Sequence, residues 1–141
     1  DFTTNIFCTC KKGGKAGLGQ IWKYSPSKAK ITLFYESDNV NNLWDGDNIN
    51  ITPWGDLIIC EDNGSNACKI VGCTPNGTLY PLGRVAGNSS SEVAGICFSP
   101  DGKNMYLNIQ DEGKTIVIRG DWSKIREYRD EFDSNLIHYD I

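Results

Sequence analysis

The chain has 141 residues, enough for one domain with its own core, and 14 Lys+Arg against 18 Asp+Glu leave a net charge of -4. That balance, with no basic cluster, argues against a nucleic-acid surface and against a polybasic membrane anchor. No apolar run approaches the ~20 residues of a membrane-spanning helix, and 39% hydrophobic content with 15 Gly and 5 Pro reads as a turn-rich globular chain. No basic-then-apolar segment opens the sequence, so any signal peptide is expected further upstream or already removed.

Taken in order, the pattern is nearly all β. Short apolar or alternating runs bounded by Gly, Pro, Asn and Asp predict strands at Asn5–Thr9, Gln20–Tyr24, Ile31–Glu36, Asn48–Thr52 and Leu57–Glu61. Five more follow at Lys69–Thr74, Leu79–Val85, Val93–Ser99, Met105–Ile109 and Thr115–Arg119. Turns separate them at Ser25-Pro26-Ser27, Pro53-Trp54-Gly55, Pro75-Asn76-Gly77 and Pro100-Asp101-Gly102, where proline presets φ and glycine accepts the positive φ of a tight reversal. Helical spacing occurs only at the end, where Trp122, Ile125, Tyr128 and Phe132 recur at three and four. This stretch is either a short amphipathic helix docked on the β body or a charged tail ordered by a partner.

The segment from Asn48 to Asp62 can be laid over that from Ala94 to Asp111: each is strand, Pro-x-Gly turn, strand, and Pro53 and Pro100 lie 47 residues apart. That period suits a four-stranded propeller blade of ~40–50 residues. The chain therefore predicts an all-β propeller segment of about three blades over 1–122, with a charged tail over 123–141. Three blades leave open sheet edges, so further blades are expected from a longer polypeptide or from oligomerisation. A compact β-sandwich is the alternative.

Six cysteines, Cys8, Cys10, Cys60, Cys68, Cys73 and Cys97, are many for a reducing compartment. Structural zinc is disfavoured, because Cys8-x-Cys10 is too closely spaced, no second close pair follows, and the only histidine, His138, is remote from every cysteine. All six are disulfide candidates with pairing open, and Cys68 with Cys73 is the simplest guess if a hairpin sets them side by side. Sequons at Asn50, Asn63, Asn76 and Asn88 point the same way. A secreted or extracellular protein is expected, the periplasm being the other oxidising compartment.

Ile6-Phe-Cys-Thr-Cys10, followed by the Gly-rich loop from Gly13 and by Gly19-Gln-Ile-Trp22, resembles the PhoX-type alkaline phosphatases. The likeness continues through Gly46-Asp-Asn-Ile49, Pro53-Trp-Gly-Asp-Leu57, Cys60-Glu-Asp62, Thr74-Pro-Asn-Gly77, Ser91-Glu-Val-Ala-Gly95, Phe98-Ser-Pro-Asp-Gly102 and Asn108-Ile-Gln110, and ends near Trp122. The resemblance implies a β-propeller phosphomonoesterase with calcium and iron at the mouth of its central channel. It also implies that this chain is the C-terminal part, with other metal ligands contributed from upstream. Carried onto matching positions, it implies Asn48, Glu61, Asp62 and Glu92 as metal ligands. Asp111-Glu112-Gly113 stands where the family often has His-Pro-Gly, and Gly120-Asp-Trp122 where Gly-Pro-Trp is common.

Independently of the family, hard cations want carboxylate and amide oxygens converging from several strands, and Glu61-Asp62 closes an apolar run where an uncompensated charge would be costly. The plainer reading is that these acids flank turns and hydrogen-bond backbone. Gly13-Gly-Lys15 lacks Walker spacing, Asp45–Ile49 lacks the glycine of an EF-hand loop, and His138 has no nucleophile partner in any motif. Trp22, Trp44, Trp54 and Trp122 read as packing residues. The alternative function is a non-catalytic, self-assembling extracellular glycoprotein on the same fold.

Overall fold

The computed structural model describes residues 4–64, 67–86, 90–125 and 127–129. It contains ten strands: β1 (Ile6–Cys10), β2 (Gln20–Ser25), β3 (Lys30–Glu36), β4 (Gly46–Ile51), β5 (Leu57–Glu61), β6 (Lys69–Cys73), β7 (Leu79–Arg84), β8 (Val93–Phe98), β9 (Asn104–Ile109) and β10 (Lys114–Arg119). They form three antiparallel meanders, β1-β2-β3, β4-β5-β6-β7 and β8-β9-β10. Every strand expected from the sequence is present, with ends shifted by one or two residues. The three-blade propeller segment is the observed architecture, and the sandwich alternative is not. Residues 123–125 and 127–129 are helical, where the periodic stretch from Trp122 placed a helix; Phe132 and His138 lie outside the described residues.

The central sheet explains why three blades hold together. Along β5, Leu57 and Ile59 point to one side and Ile58 and Cys60 to the other, and every residue of the strand is buried. A strand covered on both faces reads as an uninterrupted apolar run, as Leu57-Ile-Ile-Cys60 does. On one side Leu57, Ile59, Val71 and Cys73 pack with Ile21 and Leu43, backed by Phe7 and Phe34 of the first sheet. On the other, Ile58, Cys60 and Ile70 pack against Val93, Ile96, Met105, Leu107 and Ile109 of the third. Each fully buried aliphatic side chain contributes roughly 1.5–3 kcal/mol.

Three turns share one design. Thr52, Thr74 and Ser99 each accept a hydrogen bond on their carbonyl from Gly55, Gly77 and Gly102 at 3.0, 2.9 and 2.8 Å. Their hydroxyls accept the amides of Asp56, Thr78 and Asn104 at 2.9, 3.1 and 3.0 Å. The glycines have φ of 90°, 91° and 70°, a region side chains rarely adopt. This is the physical content of the Pro-x-Gly repeat.

Strand direction distinguishes the first sheet from the others. The loop after β1 lies at the end where β4 begins and β5 ends: Asp45 N–H donates to Leu18 O at 2.8 Å, and Lys11 and Lys12 reach Asp62 and Asp45. β8 begins at this same end, since Glu92, just before it, lies beside Asp47 and Asp62. β1 therefore runs as β5 and β9 do and occupies the place of a second strand. No strand flanks its inner side, and none flanks β10 on its outer side, among the described residues.

No disulfide joins the cysteines in this structure; Cys8, Cys10 and Cys97 are exposed and Cys60, Cys68 and Cys73 buried. The suggested Cys68–Cys73 bridge fails. Both belong to one strand segment rather than to two arms of a hairpin, they point into different core clusters, and five residues of extended chain span ~16 Å. Burial pushes the Cys60 and Cys73 thiols up to about 12, so both stay protonated and unreactive in the native fold.

Gly72 carries the Tyr80 ring directly over its backbone, and a Cβ there would meet the ring 2.1 Å away. Gly72→Ala is expected to cost about 3 kcal/mol by overpacking. Gly83→Ala, whose Cβ would find only Ile70 at 4.0 Å, is expected to be nearly neutral. Urea unfolding of the two variants checks the contrast, and similar midpoints would contradict the packing.

Candidate metal centre

At the end where β4 and β8 begin, the carboxylates of Asp47, Asp62 and Glu92 bring one oxygen each to within 4.8 Å of one another. Asp47 is the second residue of β4, Asp62 follows β5, and Glu92 precedes β8, so two sheets contribute. The backbone fixes each position. Asp62 N–H donates to Asp45 O at 3.0 Å and Gln110 N–H to Glu92 O at 3.0 Å, while Thr9 Oγ1 donates to Asp47 O at 2.7 Å. None of the three carboxylates is buried, so a solvated ion can reach them.

Asp62 and Glu92, expected from the sequence, are brought together with Asp47; the Glu61 carboxylate is not among the three, and the Asn48 side chain is hydrogen-bonded to β8. Glu61 is fully buried and surrounded by donors. Its Oε1 accepts from Trp44 N–H at 2.8 Å and pairs with Lys69 Nζ at 3.1 Å, and its Oε2 accepts from Lys69 N–H and Asn63 Nδ2, each at 3.0 Å. A buried charge is tolerated when paired and hydrogen-bonded in this way, and here it ties the 38–44 loop to the central sheet. Asn48 Oδ1 accepts from Ile96 N–H at 3.0 Å while Asn50 Nδ2 donates to Ile96 O at 2.9 Å. The two asparagines grip one residue of β8 by both its backbone groups and set the register between sheets two and three.

Asp47 and Lys11 escaped the sequence reading. Asp47 sits one residue before the favoured Asn48, and the bulge between Gly46 and Asn48 re-aims the side chains there. Lys11 carried no motif; only the fold brings it 51 residues along the chain to Asp62. Beside the cluster, Asp45 is buried at a φ of 53°, its Oδ2 is held by Lys12, and its Oδ1 has no hydrogen-bond partner.

The sequons divide. Asn50 and Asn63 use their side-chain amides internally, Asn76 is exposed in its turn, and Asn88 lies outside the described residues. A groove of about 430 Å³ against the C-terminal helix, lined by residues including Trp54, Leu82, Met105, Ile118, Trp122 and Tyr128, has no acidic side chain in its wall and offers a cation nothing.

Burial and the neighbouring Asp62 and Asp47 charges raise the Glu92 carboxyl above its ordinary value of 4.5, with Lys11 opposing. A raised acid favours the folded state below its ordinary pKa and costs stability as pH rises through the folded value. Glu92→Gln is therefore expected to stabilise the metal-free chain at pH 7 by about 0.5 kcal/mol, with the gain vanishing near pH 4. Thermal melts at the two pH values check the sign; an equal gap at both would refute it.

No curated protein and no solved structure matches the chain. A family model described as alkaline phosphatase PhoX matches residues 5–113, a span that takes in β1 to β9, the acidic cluster and Lys11. Covering most of the chain, that match shows that the protein belongs to the PhoX alkaline phosphatase family.

Proposed function

We propose that this chain is the C-terminal propeller portion of a secreted, metal-dependent phosphomonoesterase, in which Asp47, Asp62 and Glu92 hold a calcium ion. The observation that carries the reading is the convergence of three solvent-accessible carboxylates from two sheets, in a chain of a metal-dependent phosphatase family. The donor set is all oxygen, which suits a hard cation, and a cation would offset the mutual repulsion of three carboxylates held this close. Iron is assigned to no residue of this chain, since the cluster contains no cysteine. Calcium takes six to eight oxygens, so water, substrate and further strands supply the remainder.

When bound, such an ion would polarise a phosphoryl oxygen of a phosphate monoester. The chain's own residues do the positioning. The Asn48 and Asn50 grip on Ile96 holds β4 against β8 and thereby Asp47 against Glu92. The Glu61–Lys69 hub fixes the end of β5 and with it Asp62.

Further blades are part of the proposal. Ile6, Tyr24 and Ile31 stand opposite one another across the first sheet and are 58%, 38% and 59% exposed. Val117, paired with Tyr106, is 57% exposed on the third sheet. Apolar rows of this kind are what neighbouring blades cover. A secreted setting is supported by the cysteine content and by the exposed Asn76 sequon. The open edges also favour the second reading, a self-assembling scaffold.

Calcium titration by calorimetry is expected to show one site on this chain, weakened at least about tenfold by Asp62→Asn, with Asn48→Asp retaining it. The complete natural polypeptide is expected to hydrolyse p-nitrophenyl phosphate with calcium and iron supplied. No calcium binding would remove the site, and binding without hydrolysis by the complete polypeptide, together with ring or filament formation, would leave the scaffold.

A further inference from the structure

We propose that Lys11 is the protein's own occupant of the cation position in this cluster, so that a metal ion enters by displacing its ammonium group. The inference rests on the reading of Asp47, Asp62 and Glu92 as a cation site, and it concerns how that site is loaded.

Three lysines serve three acids at this end of the arc, and their burial separates their roles. Lys12 pairs with Asp45 and Lys69 with Glu61, whose side chains are 1% and 0% exposed. Such acids need a permanent counter-charge, because removing one partner of a buried pair strands the other. Lys11 instead pairs with Asp62, and the two side chains are 34% and 27% exposed. Its ammonium lies in the field of Asp62, Asp47 and Asp45 together, and the Glu92 carboxylate also feels it. It is a compact point charge on a flexible four-carbon stem, attached directly after β1 at the lip of the cluster. With 34% of its side chain exposed, it can swing into water when the charge it supplies is supplied otherwise.

The competition follows from charge. A divalent cation shared by the three carboxylates and an ammonium bonded to Asp62 repel each other at this separation, and both draw on the Asp62 carboxylate. Metal-free, Lys11 reduces the repulsion among the acids and steadies the fold. Metal-bound, it is redundant at Asp62 and turns outward. The cost of breaking its bond is subtracted from the affinity for metal, which tunes the site towards compartments rich in the ion.

The test is calcium binding to this chain by calorimetry, with terbium luminescence as a second readout, in the wild type, Lys11→Met and Lys11→Gln. Lys114→Met, which removes an equal charge from the exposed Lys114–Glu112 pair, is the control. Both Lys11 variants are expected to bind calcium on the order of tenfold more tightly than the wild type. Their metal-free melting temperatures should be lower and their calcium-induced rises larger, with the control unchanged. Wild-type affinity or weaker in both Lys11 variants, with wild-type binding intact, overturns the competition and leaves the site standing. An equal gain in the control would reduce the effect to net charge and also overturn it. Absence of binding in the wild type and the Lys11 variants alike removes the site and this inference together.

Discussion

Burying β5 on both faces is the constraint from which the arrangement of the molecule follows. A strand of the type Leu57-Ile-Ile-Cys60 cannot face water on either side without exposing several large aliphatic groups, each costing roughly 1.5–3 kcal/mol. The first sheet covers one face and the third covers the other. Sheets that are mere neighbours in sequence are thereby locked into an arc. The ends of β4, β5 and β8 are then held close at one rim, where the chain must manage whatever charges it carries.

It carries many. Asp45, Glu61, Asp47, Asp62 and Glu92 crowd that rim, and the chain answers with lysine where burial leaves no choice. Glu61 could not survive fully buried without Lys69 and its ring of amide donors, and Asp45 depends on Lys12. At Asp47 and Glu92 the answer is incomplete. These two are left to solvent and to the neighbouring Lys11, and the Glu92 carboxyl is raised by burial first and by the Asp62 and Asp47 charges second. A fold selected for stability alone would have little reason to converge three carboxylates on one another. Three acids gathered around a single lysine partner at one rim of the scaffold are the kind of local inconsistency that motivates the proposed cation site.

The sequence made the strands legible because turn chemistry and alternation are local signals, and the Thr/Ser-Pro-x-Gly turns repeat both. It also made Asp62 and Glu92 visible through the motifs Cys60-Glu-Asp62 and Ser91-Glu-Val-Ala-Gly95. What it could not separate was Glu61 from Asp62. The two are adjacent, yet strand parity and the end of β5 send one inward to Lys69 and Trp44 and the other to the rim. Asn48 presented the same difficulty. An amide on an inner strand serves equally as ligand or as clamp, and its bond to Ile96, 48 residues away, is a non-local contact that no local pattern announces. Lys11 was invisible because its partner is non-local. The Cys68–Cys73 guess failed for another reason: the short spacing suggests a hairpin, but Cys68 leads straight into β6, which Cys73 ends.

The direction of β1 connects the fold to the chemistry. Among the described residues no strand lies beside β1 on its inner side, and Lys11 follows β1 directly. In the other two sheets that position is filled by β4 and β8, the strands that carry Asp47 and follow Glu92. The repeat therefore puts an element of the proposed site at the inner position of both of these sheets. The carboxylates present are too few for a calcium ion on their own. Under the proposal the remaining oxygens come from water, substrate or further strands, and they must reach the cluster at the corner where Lys11 is bonded to Asp62, so completing the coordination and displacing the lysine are one event.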